Sequence, residues 1–316
     1  MRWATFNPPS SDGERVGLVH DGALHALEAG TKLVDLLGDE GEKLNRAGEE
    51  ARARPHDVYA LADVELLAPI PRPPSVRDFM AFNAHYENVQ RALKREIPPV
   101  YYQQPCFYFT NPAGIVGAGA DVAIAPGSAA WDYELEAAAI IGRSGQNVTP
   151  QEAEGYIAGY AVLCDFSARD LQAREMPLLG PAKGKDTATS IGPYLVTPDE
   201  VASARGEWGL QLEMKASVNG KPYSAGRMDS IDWQWGELLS YAARGTELRP
   251  GDVIGSGTVG TGCILELMLM HGADRYPWLK PGDQVELEIE RLGTLRHRIV
   301  PGVEPIALPP RRARAE

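Results

Sequence analysis

Two apolar stretches near the middle of the chain, each carrying carboxylates, constrain its fold more than any other feature. The first, WDYELEAAAIIGR at residues 131–143, is typical of a β-strand and contains Glu134 and Glu136 two residues apart. Because side chains two apart on a strand project from the same face, both carboxylates are predicted to occupy one patch of space. Two like charges held that close do not both ionise readily without a cation or a shared proton.

The second stretch, GYAVLCDFSARD at residues 159–170, places Asp165 at the end of another apolar strand. Three carboxylates that converge from strand ends form an oxygen-only ligand set, which suits Mg²⁺, Ca²⁺ or Mn²⁺ better than zinc. An exposed Glu-x-Glu pair on an edge strand, without any metal, is the alternative interpretation. The choice between them depends on whether other parts of the chain supply further ligands and catalytic groups.

Composition excludes several classes of function. The chain has 316 residues, 44% of them hydrophobic, which is enough for one large domain or two unequal ones. The net charge of −12 argues against nucleic acid or an anionic membrane as partner. The first thirty residues contain no apolar segment typical of a signal peptide, and no run approaches the ~18 apolar residues of a membrane span. We therefore expect a soluble, cytoplasmic protein.

The chain is predicted to divide at a proline-rich segment. Residues 1–68 contain short strand-like runs, a hairpin turn at Asp21-Gly22 and polar helical segments, and indicate a small N-terminal module. The sequence PIPRPP at 69–74 is typical of a linker. Residues 69–316 then form the predicted larger domain, in which strands alternate with Pro-Gly and Asn-Gly turns.

A histidine follows the linker in the sequence VRDFMAFNAHYENV at residues 76–89. Asp78 is predicted to end an extended stretch, and His85 to open the helix that follows. A single histidine at a helix start is more often structural than catalytic. Its neighbours Asp78 and Glu87, together with the carboxylates farther along the chain, favour a catalytic role for His85 over a structural one more than its position alone would.

The sequence GSGTVG at residues 255–260 matches the dinucleotide-binding fingerprint in its letters only. That fingerprint requires a helix to start on the last glycine. Here Gly262 stands where the helix would begin, and residues 261–270 are as compatible with a strand as with a helix. We interpret the segment as a flexible loop that closes over a substrate, with Thr258 pointing inward.

Six motifs in sequence order carry a family resemblance. They are DFMAFNAHYENV, DYELEAAAIIG, CDFSARDLQ, KGKD with the following GPYLVT, SGT at 256–258, and GCILEL. From about Arg72 to Leu292 the chain resembles the fumarylacetoacetate hydrolase family. The resemblance implies an α+β, mainly β fold. Residues 69–316 would form a mixed β-sandwich roll, residues 1–68 the smaller N-terminal domain, and the protein a homodimer.

The resemblance also assigns roles to residues. It implies a site for Mg²⁺ (or Mn²⁺/Ca²⁺) whose ligands are Asp78, Glu134, Glu136 and Asp165. It implies that His85 is the general base, that Glu266 orients it, and that Lys183 stabilises a developing oxyanion. The implied substrate contacts are Arg169, Gln172 and Thr258.

Two departures from the family pattern affect these assignments. Smaller relatives carry a glutamate three residues after the histidine, and here that position is Asn88. Glu87 is out of step, which favours Glu266 as the partner of His85. Met176 stands about where the namesake enzyme has a substrate-facing tyrosine, so the natural substrate is left open.

The implied function is metal-dependent hydrolysis of a C–C bond in a β-diketo acid that is fumarylacetoacetate- or acylpyruvate-like. The alternative on the same metal site is a decarboxylase, isomerase or dehydratase of a related keto acid. A third interpretation is a non-catalytic protein with a structural Ca²⁺ site. That interpretation has no use for His85, Lys183 and Glu266 together.

Overall fold

The computed structural model describes residues 1–9 and 13–309. Its α-helices are α1 (Glu42–Ala53), α2 (Asn83–Ala92), α3 (Pro150–Ala153), α4 (Arg169–Glu175), α5 (Pro198–Val201), α6 (Trp235–Ala242) and α7 (Ile264–His271).

The strands of the first half are β1 (Arg2–Asn7), β2 (Arg15–His20), β3 (Ala23–Ala26), β4 (Asp57–Ala60), β5 (Glu65–Leu66), β6 (Val76–Phe79), β7 (Phe107–Thr110), β8 (Ile115–Val116), β9 (Val122–Ala123), β10 (Trp131–Asp132), β11 (Leu135–Ile141) and β12 (Gly145–Gln146). Those of the second half are β13 (Ile157–Asp165), β14 (Ser167–Ala168), β15 (Thr189–Val196), β16 (Arg205–Gly206), β17 (Gly209–Leu210), β18 (Glu213–Val218), β19 (Lys221–Arg227), β20 (Glu247–Leu248), β21 (Val253–Gly255), β22 (Gln284–Ile289) and β23 (Gly293–Val300).

Two sheets dominate the fold. The larger has the strand order β4-β3-β2-β1-β15-β13-β11-β21-β6-β7, with β5 beside β1 and β8 beside β15. Its neighbours are antiparallel except for the parallel pairs β21–β6 and β15–β8, so the sheet is mixed. The smaller sheet has the order β19-β18-β22-β23-β9. The expectation of an α+β, mainly β fold with a β-sandwich roll is therefore confirmed.

The central strands of the large sheet are buried on both faces, which explains why they contain so few polar residues. Ala137 on β11 packs into the core shared with Leu287 of the smaller sheet. Its neighbour Ala138 points the opposite way, into the core that contains Trp3 and Leu44 of the N-terminal module. Alternate side chains of a strand face opposite sides of the sheet, so a layer on each side requires an unbroken apolar run. The small side chains of Ala137–Ala139 allow both layers to approach closely.

The N-terminal module continues the large sheet. Strand β1 pairs with β15, with Trp3 opposite Leu195, and carries β2, β3 and β4 outward from that edge. The hairpin predicted at Asp21-Gly22 is present between β2 and β3. Because backbone pairing crosses from the module into the catalytic domain, the domain boundary at residue 68 stays a prediction.

The structure decides one local alternative that the sequence left open. Residues 261–270 were compatible with either state, and α7 occupies Ile264–His271. A helix is favoured there because Cys263 caps its first turn, its Sγ accepting from the Glu266 N–H, and because Ile264 and Leu267 bury one face.

Among the described residues, no helix is long and apolar enough to cross a membrane.

The pairing of β1 with β15 leads to a stability prediction. Leu195 is fully buried and packs on Gly159, where an added Cβ would lie 2.4 Å from Leu195 Cδ2. Leu195→Ala should lower the free energy of unfolding by about 2–5 kcal/mol. Because the module and the catalytic domain share the sheet, urea unfolding followed by tryptophan fluorescence and by far-UV circular dichroism should give one coincident transition. Leu179→Ala, at a side chain that is 96% exposed, is the control with little expected change. Two separate transitions would contradict the continuous sheet.

Candidate active site

Three buried carboxylates meet beside the central strands. One oxygen each from Asp78, Glu136 and Asp165 lies within 4.8 Å of the others. All three side chains are almost fully buried. They come from β6, β11 and β13, which are brought together by the order of strands in the large sheet.

The register of the strands explains how Asp78 reaches its neighbours. On β21, Gly255 lies opposite Ala138 of β11 on one side and opposite Asp78 of β6 on the other. A Cβ at Gly255 would lie 2.3 Å from Asp78 Oδ1. Because Gly255 on β21 has no side chain, the Asp78 carboxylate can extend across this strand towards Glu136.

The loop after β21 contacts the same carboxylates. Glu136 accepts hydrogen bonds from the Gly257 N–H at 3.1 Å and from the Thr258 hydroxyl at 3.2 Å. Gly257 has a φ of +80°, and a Cβ there would lie 2.2 Å from Phe79 O. The glycines of GSGTVG thus allow a close backbone approach to a carboxylate site, and the helix α7 begins only after residue 262.

Burial raises the pKa values of these acids. Burial, together with the charge of Glu134, raises the pKa of Asp78 to about 6, although Lys185 opposes the shift. Burial, together with the charges of Glu134 and Asp78, raises the pKa of Asp165 to about 7, although Lys185 again opposes the shift. Burial and the neighbouring Asp78 raise the pKa of Glu136 well above its usual range. The positive charge at the site therefore does not balance the negative charge of its carboxylates.

Glu134 has a different environment from the other three. Its Oε1 lies 2.7 Å from Arg169 Nη2, and its Oε2 accepts from the Lys185 ammonium. Burial alone would raise its pKa, but the charges of Lys185 and Arg169 hold that pKa below the usual range. Glu134, predicted as a metal ligand, is thus an ion-paired carboxylate at the edge of the three-carboxylate cluster, and its role as a ligand stays a prediction.

The lysine at the site is not the one that the sequence analysis selected. Lys183 has a side chain that is 65% exposed, and it pairs with Asp186. Lys185, two residues on, has a side chain that is 5% exposed and donates to Glu134 and, at 2.6 Å, to Asp165 Oδ2. The placement predicted for Lys183 is therefore corrected to Lys185. Burial alone would lower the pKa of Lys185, but Asp165 and Glu134 raise it, which keeps the amine charged.

Strand pairing provides the signal that separates these two lysines. Asp165 on β13 lies opposite Thr189, the first residue of β15. Lys185 is four residues before Thr189 and Lys183 is six, so Lys185 is the nearer along the chain to the point where β15 reaches Asp165. The KGKD motif alone does not distinguish them.

His85 and Glu266 form a second group at the site. His85 lies in the first turn of α2, and its Nδ1 is 2.8 Å from Glu266 Oε2. Asn88, one turn further along α2, donates to Glu266 Oε1 at 2.6 Å. Both oxygens of the buried Glu266 are therefore bound by side chains of one helix. Glu87 instead accepts from the Tyr102 hydroxyl.

Helix α7 is held in place by Asp132, which the sequence analysis did not single out. Asp132 Oδ1 accepts from the Ile264 N–H at 2.7 Å, and Oδ2 accepts from the Leu265 N–H at 3.0 Å. Arg169 Nε donates to Asp132 Oδ2 at 2.8 Å. Arg169 thus connects the start of α7, which carries Glu266, with the Glu134 carboxylate.

The three predicted substrate contacts lie around the same site. Arg169 also donates to Gln172 Oε1 at 3.1 Å, so Gln172 lies next to the ion-paired arginine. Thr258 faces Glu136, as described above. Their contacts with a substrate stay predictions.

Comparison with known proteins places this arrangement in a family. Residues 75–300 match the family described as fumarylacetoacetate hydrolase, C-terminal. The human mitochondrial oxaloacetate tautomerase FAHD2A is 30% identical over 312 residues, which cover 95% of this chain and 92% of that protein. The chain belongs to the fumarylacetoacetate hydrolase family.

Two further relatives show the range of activities named within this family. The oxaloacetate tautomerase YisK of Bacillus subtilis is 28% identical over 246 residues, covering 77% of this chain and 75% of that protein. The fumarylacetoacetate hydrolase of Exiguobacterium antarcticum has a TM-score of 0.72 at 26% identity, covering 95% of this chain and 99% of that chain. These three relatives are thus named as enzymes, two as tautomerases and one as a hydrolase.

The donor set of this family member fits a divalent metal. Oδ1 of Asp78 and Oδ1 of Asp165 are buried without a hydrogen-bond partner. Buried acceptors of this kind are rare unless something satisfies them. Clustered carboxylate oxygens are the ligands that Mg²⁺ and Mn²⁺ prefer. The orphaned oxygens and the surplus of acids both indicate a cation.

The space at Gly255 leads to a prediction about metal affinity. Gly255→Ala should displace the Asp78 carboxylate and weaken Mn²⁺ binding by tenfold or more, as estimated from ~1.4 kcal/mol per tenfold change, when measured by isothermal calorimetry. Gly119→Ala is the matched control, because a Cβ there would meet nothing within 4 Å. Equal affinity in both variants would show that Asp78 does not need this space.

The raised pKa values predict how metal stabilisation depends on pH. Because the folded-state pKa values of Asp78 and Asp165 are about 6 and about 7, the metal-free folded chain holds protons that the unfolded chain has lost. Its stability should therefore fall as the pH rises from about 4 to about 7. Bound metal requires deprotonated ligands. The increase in melting temperature caused by Mg²⁺ should thus be larger at about pH 8 than at about pH 5.5, and the reverse order would contradict these shifts.

Proposed function

We propose that the chain is a metal-dependent hydrolase that cleaves a C–C bond of a β-diketo acid, fumarylacetoacetate- or acylpyruvate-like. The observation that carries the proposal is the His85–Glu266 pair, at 2.8 Å. Cys263 Sγ lies within 4.8 Å of both side chains, and the backbone of Cys263 pairs with that of Glu134, to which Lys185 donates. A glutamate far along the chain, instead of one three residues after the histidine, is the partner that the resemblance implies for C–C hydrolases.

The residues that would hold a metal are Asp78, Glu136 and Asp165, with Glu134 at the edge of the cluster. When bound, a divalent ion supplies Lewis-acid polarisation of the keto-acid oxygens. A solved maleylpyruvate hydrolase from Sphingobium, with a TM-score of 0.71 at 21% identity, is described as a complex with manganese and pyruvate. That complex supports a divalent metal in the proposal without distinguishing Mg²⁺ from Mn²⁺.

His85 would act on water. With Nδ1–H donating to Glu266 Oε2, the Nε2 lone pair is left to accept a proton. The side chain is 15% exposed, so solvent reaches it. Water oxygen bonds to the substrate carbonyl carbon while its proton passes to Nε2. A base in this role typically contributes ~10²–10⁴-fold to the rate.

Lys185 would stabilise the oxygen that becomes negative. Its pKa is raised by Asp165 and Glu134, so it carries a full positive charge next to the carboxylates. Donors in such positions are typically worth about 3–4 kcal/mol. When the tetrahedral carbon collapses, the electron pair of the C–C bond passes to the neighbouring carbon as an enolate. Return of the proton from His85 completes the reaction.

The second candidate is keto–enol tautomerisation of an oxaloacetate-like acid. It is favoured by the activity named for the human and Bacillus subtilis relatives. In that reaction His85 would move a proton between carbon and oxygen without attack of water. Decarboxylation, dehydration or another isomerisation of the same class of acid are the remaining alternatives. The homodimer and the cytoplasmic location stay predictions.

Both candidate reactions, C–C hydrolysis and tautomerisation, would require the metal, and removing the metal tests that requirement. Exhaustive EDTA treatment should abolish turnover, and Mg²⁺ or Mn²⁺ should restore it. Glu136→Gln should lose metal affinity together with activity, because it removes one anionic ligand from the cluster. Full activity in the stripped protein would refute a metal-dependent reaction.

A substrate panel with His85→Ala separates the reactions. Acylpyruvate cleavage, followed by loss of enol absorbance and release of pyruvate, should fall by about 10²–10⁴-fold. Decarboxylation of oxaloacetate needs no attacking water and should fall much less. His20→Ala, in the N-terminal module, is the control. A change in enol absorbance with oxaloacetate, without release of pyruvate and without cleavage of any diketo acid by the unmodified protein, would establish the tautomerase instead. Unchanged cleavage in His85→Ala would remove His85 from the mechanism.

A further inference from the structure

Tyr108 is a buried phenol at the carboxylate cluster that the proposed mechanism does not use. It lies on β7, directly opposite Asp78 of β6 in the antiparallel register. Its hydroxyl donates to Asp165 Oδ2 at 2.5 Å and lies 3.4 Å from Asp78 Oδ2. A single oxygen atom therefore contacts two of the three clustered carboxylates.

Tyr108 acts here as a hydrogen-bond donor. A tyrosine phenol, with an ordinary pKa of about 10, is protonated at neutral pH. The hydroxyl keeps its proton, and each carboxylate oxygen near it is an acceptor. Among the residues that the structure describes, Tyr108 is the side chain whose hydrogen bonds reach two members of the Asp78, Glu136 and Asp165 cluster.

Hydrogen-bond donors contact one carboxylate oxygen of each aspartate and leave the other oxygen without a partner. Asp165 Oδ2 is bound by both Lys185 and Tyr108, and the Tyr108 hydroxyl lies on the Oδ2 side of Asp78. The opposite oxygens, Oδ1 of each aspartate, are the ones without a partner. Tyr108 thus restrains the orientation of Asp165 through its short hydrogen bond and, through the longer contact, the spacing of Asp165 from Asp78.

We propose that Tyr108 is a positioning residue that sets the spacing of Asp78 and Asp165 and thereby the preference of the site for smaller over larger divalent ions. The inference rests on the metal dependence of the proposed function. Mg²⁺ requires near-octahedral geometry with bonds of about 2.0–2.1 Å, whereas Ca²⁺ accepts flexible geometry at about 2.3–2.6 Å. Without the shared donor, repulsion between the buried carboxylates would widen the ligand set and penalise the smaller ion more.

A purely structural role predicts a different result. If Tyr108 only fills space on β7, its hydroxyl is dispensable for the choice of ion, and its removal changes affinity for every ion by the same factor. The ratio of the Ca²⁺ to the Mg²⁺ dissociation constant therefore distinguishes a positioning role of the Tyr108 hydroxyl from a purely space-filling role of the side chain.

The experiment is isothermal calorimetry of Mg²⁺ and Ca²⁺ binding to the wild-type protein and to Tyr108→Phe. We expect Mg²⁺ affinity to fall by roughly 10–100-fold, as for other residues that orient metal ligands. Ca²⁺ affinity should fall less, so that the ratio of dissociation constants drops. Tyr101→Phe is the matched control, because the buried Tyr101 hydroxyl has no hydrogen-bond partner, and its ratio should stay at the wild-type value.

Each other outcome is decisive. An unchanged ratio in Tyr108→Phe would overturn the positioning role while leaving the metal site intact. Absence of divalent-metal binding to the wild-type protein would overturn both this inference and the metal-dependent function. Circular dichroism verifies that Tyr108→Phe folds. If it does not, Tyr108→Met, which also removes the hydroxyl, should show the same change in ratio.

Discussion

The site depends on one electrostatic constraint, which is the concentration of buried acids in the centre of the large sheet. Asp78, Glu134, Glu136 and Asp165 are all buried, and the cations in contact with them are Lys185 and Arg169. Both cations contact Glu134, and their charges lower its pKa. The remaining acids keep raised pKa values and orphaned oxygens. A bound divalent cation resolves this imbalance, so the same feature that makes the metal-free site unfavourable gives it affinity for a metal.

The fold makes this concentration of charge possible. Layers on both faces of the large sheet exclude water from its central strands, so the carboxylates at their ends lie in a region of low polarity. Gly255 leaves room for Asp78, and Gly257 brings a backbone N–H to Glu136. On the other side, Asp132 and Arg169 fix α7, and α7 presents Glu266 to His85 and Asn88. The acid–base pair and the carboxylate cluster are therefore held by connected elements.

Much of the site was predictable because it lies within strands whose periodicity is strong. The expected convergence of strand ends brought Glu136 near Asp165, and the apolar run after Glu136 indicated a buried strand. The same-face rule also put Glu134 with Glu136, but Glu134 pairs with Arg169 and Lys185 at the edge of the cluster. The position of His85 at the start of a helix was also correct. Predictions were less successful where backbone turns decide the geometry. Lys183 and Lys185 occupy one short motif, and the pairing of β13 with β15 determines which of them reaches Asp165. Tyr108 and Asp132 gave no local signal, because their importance depends on contacts with residues 30–133 positions away.

The central claim is that Asp78, Glu136 and Asp165 together bind one divalent cation. The most direct test is anomalous diffraction from crystals of the wild-type protein soaked in Mn²⁺. The account predicts one strong anomalous peak within bonding distance of Asp78 Oδ1 and Asp165 Oδ1, the two oxygens without a hydrogen-bond partner. A peak only at surface carboxylates, or no peak in crystals that diffract well, would contradict it.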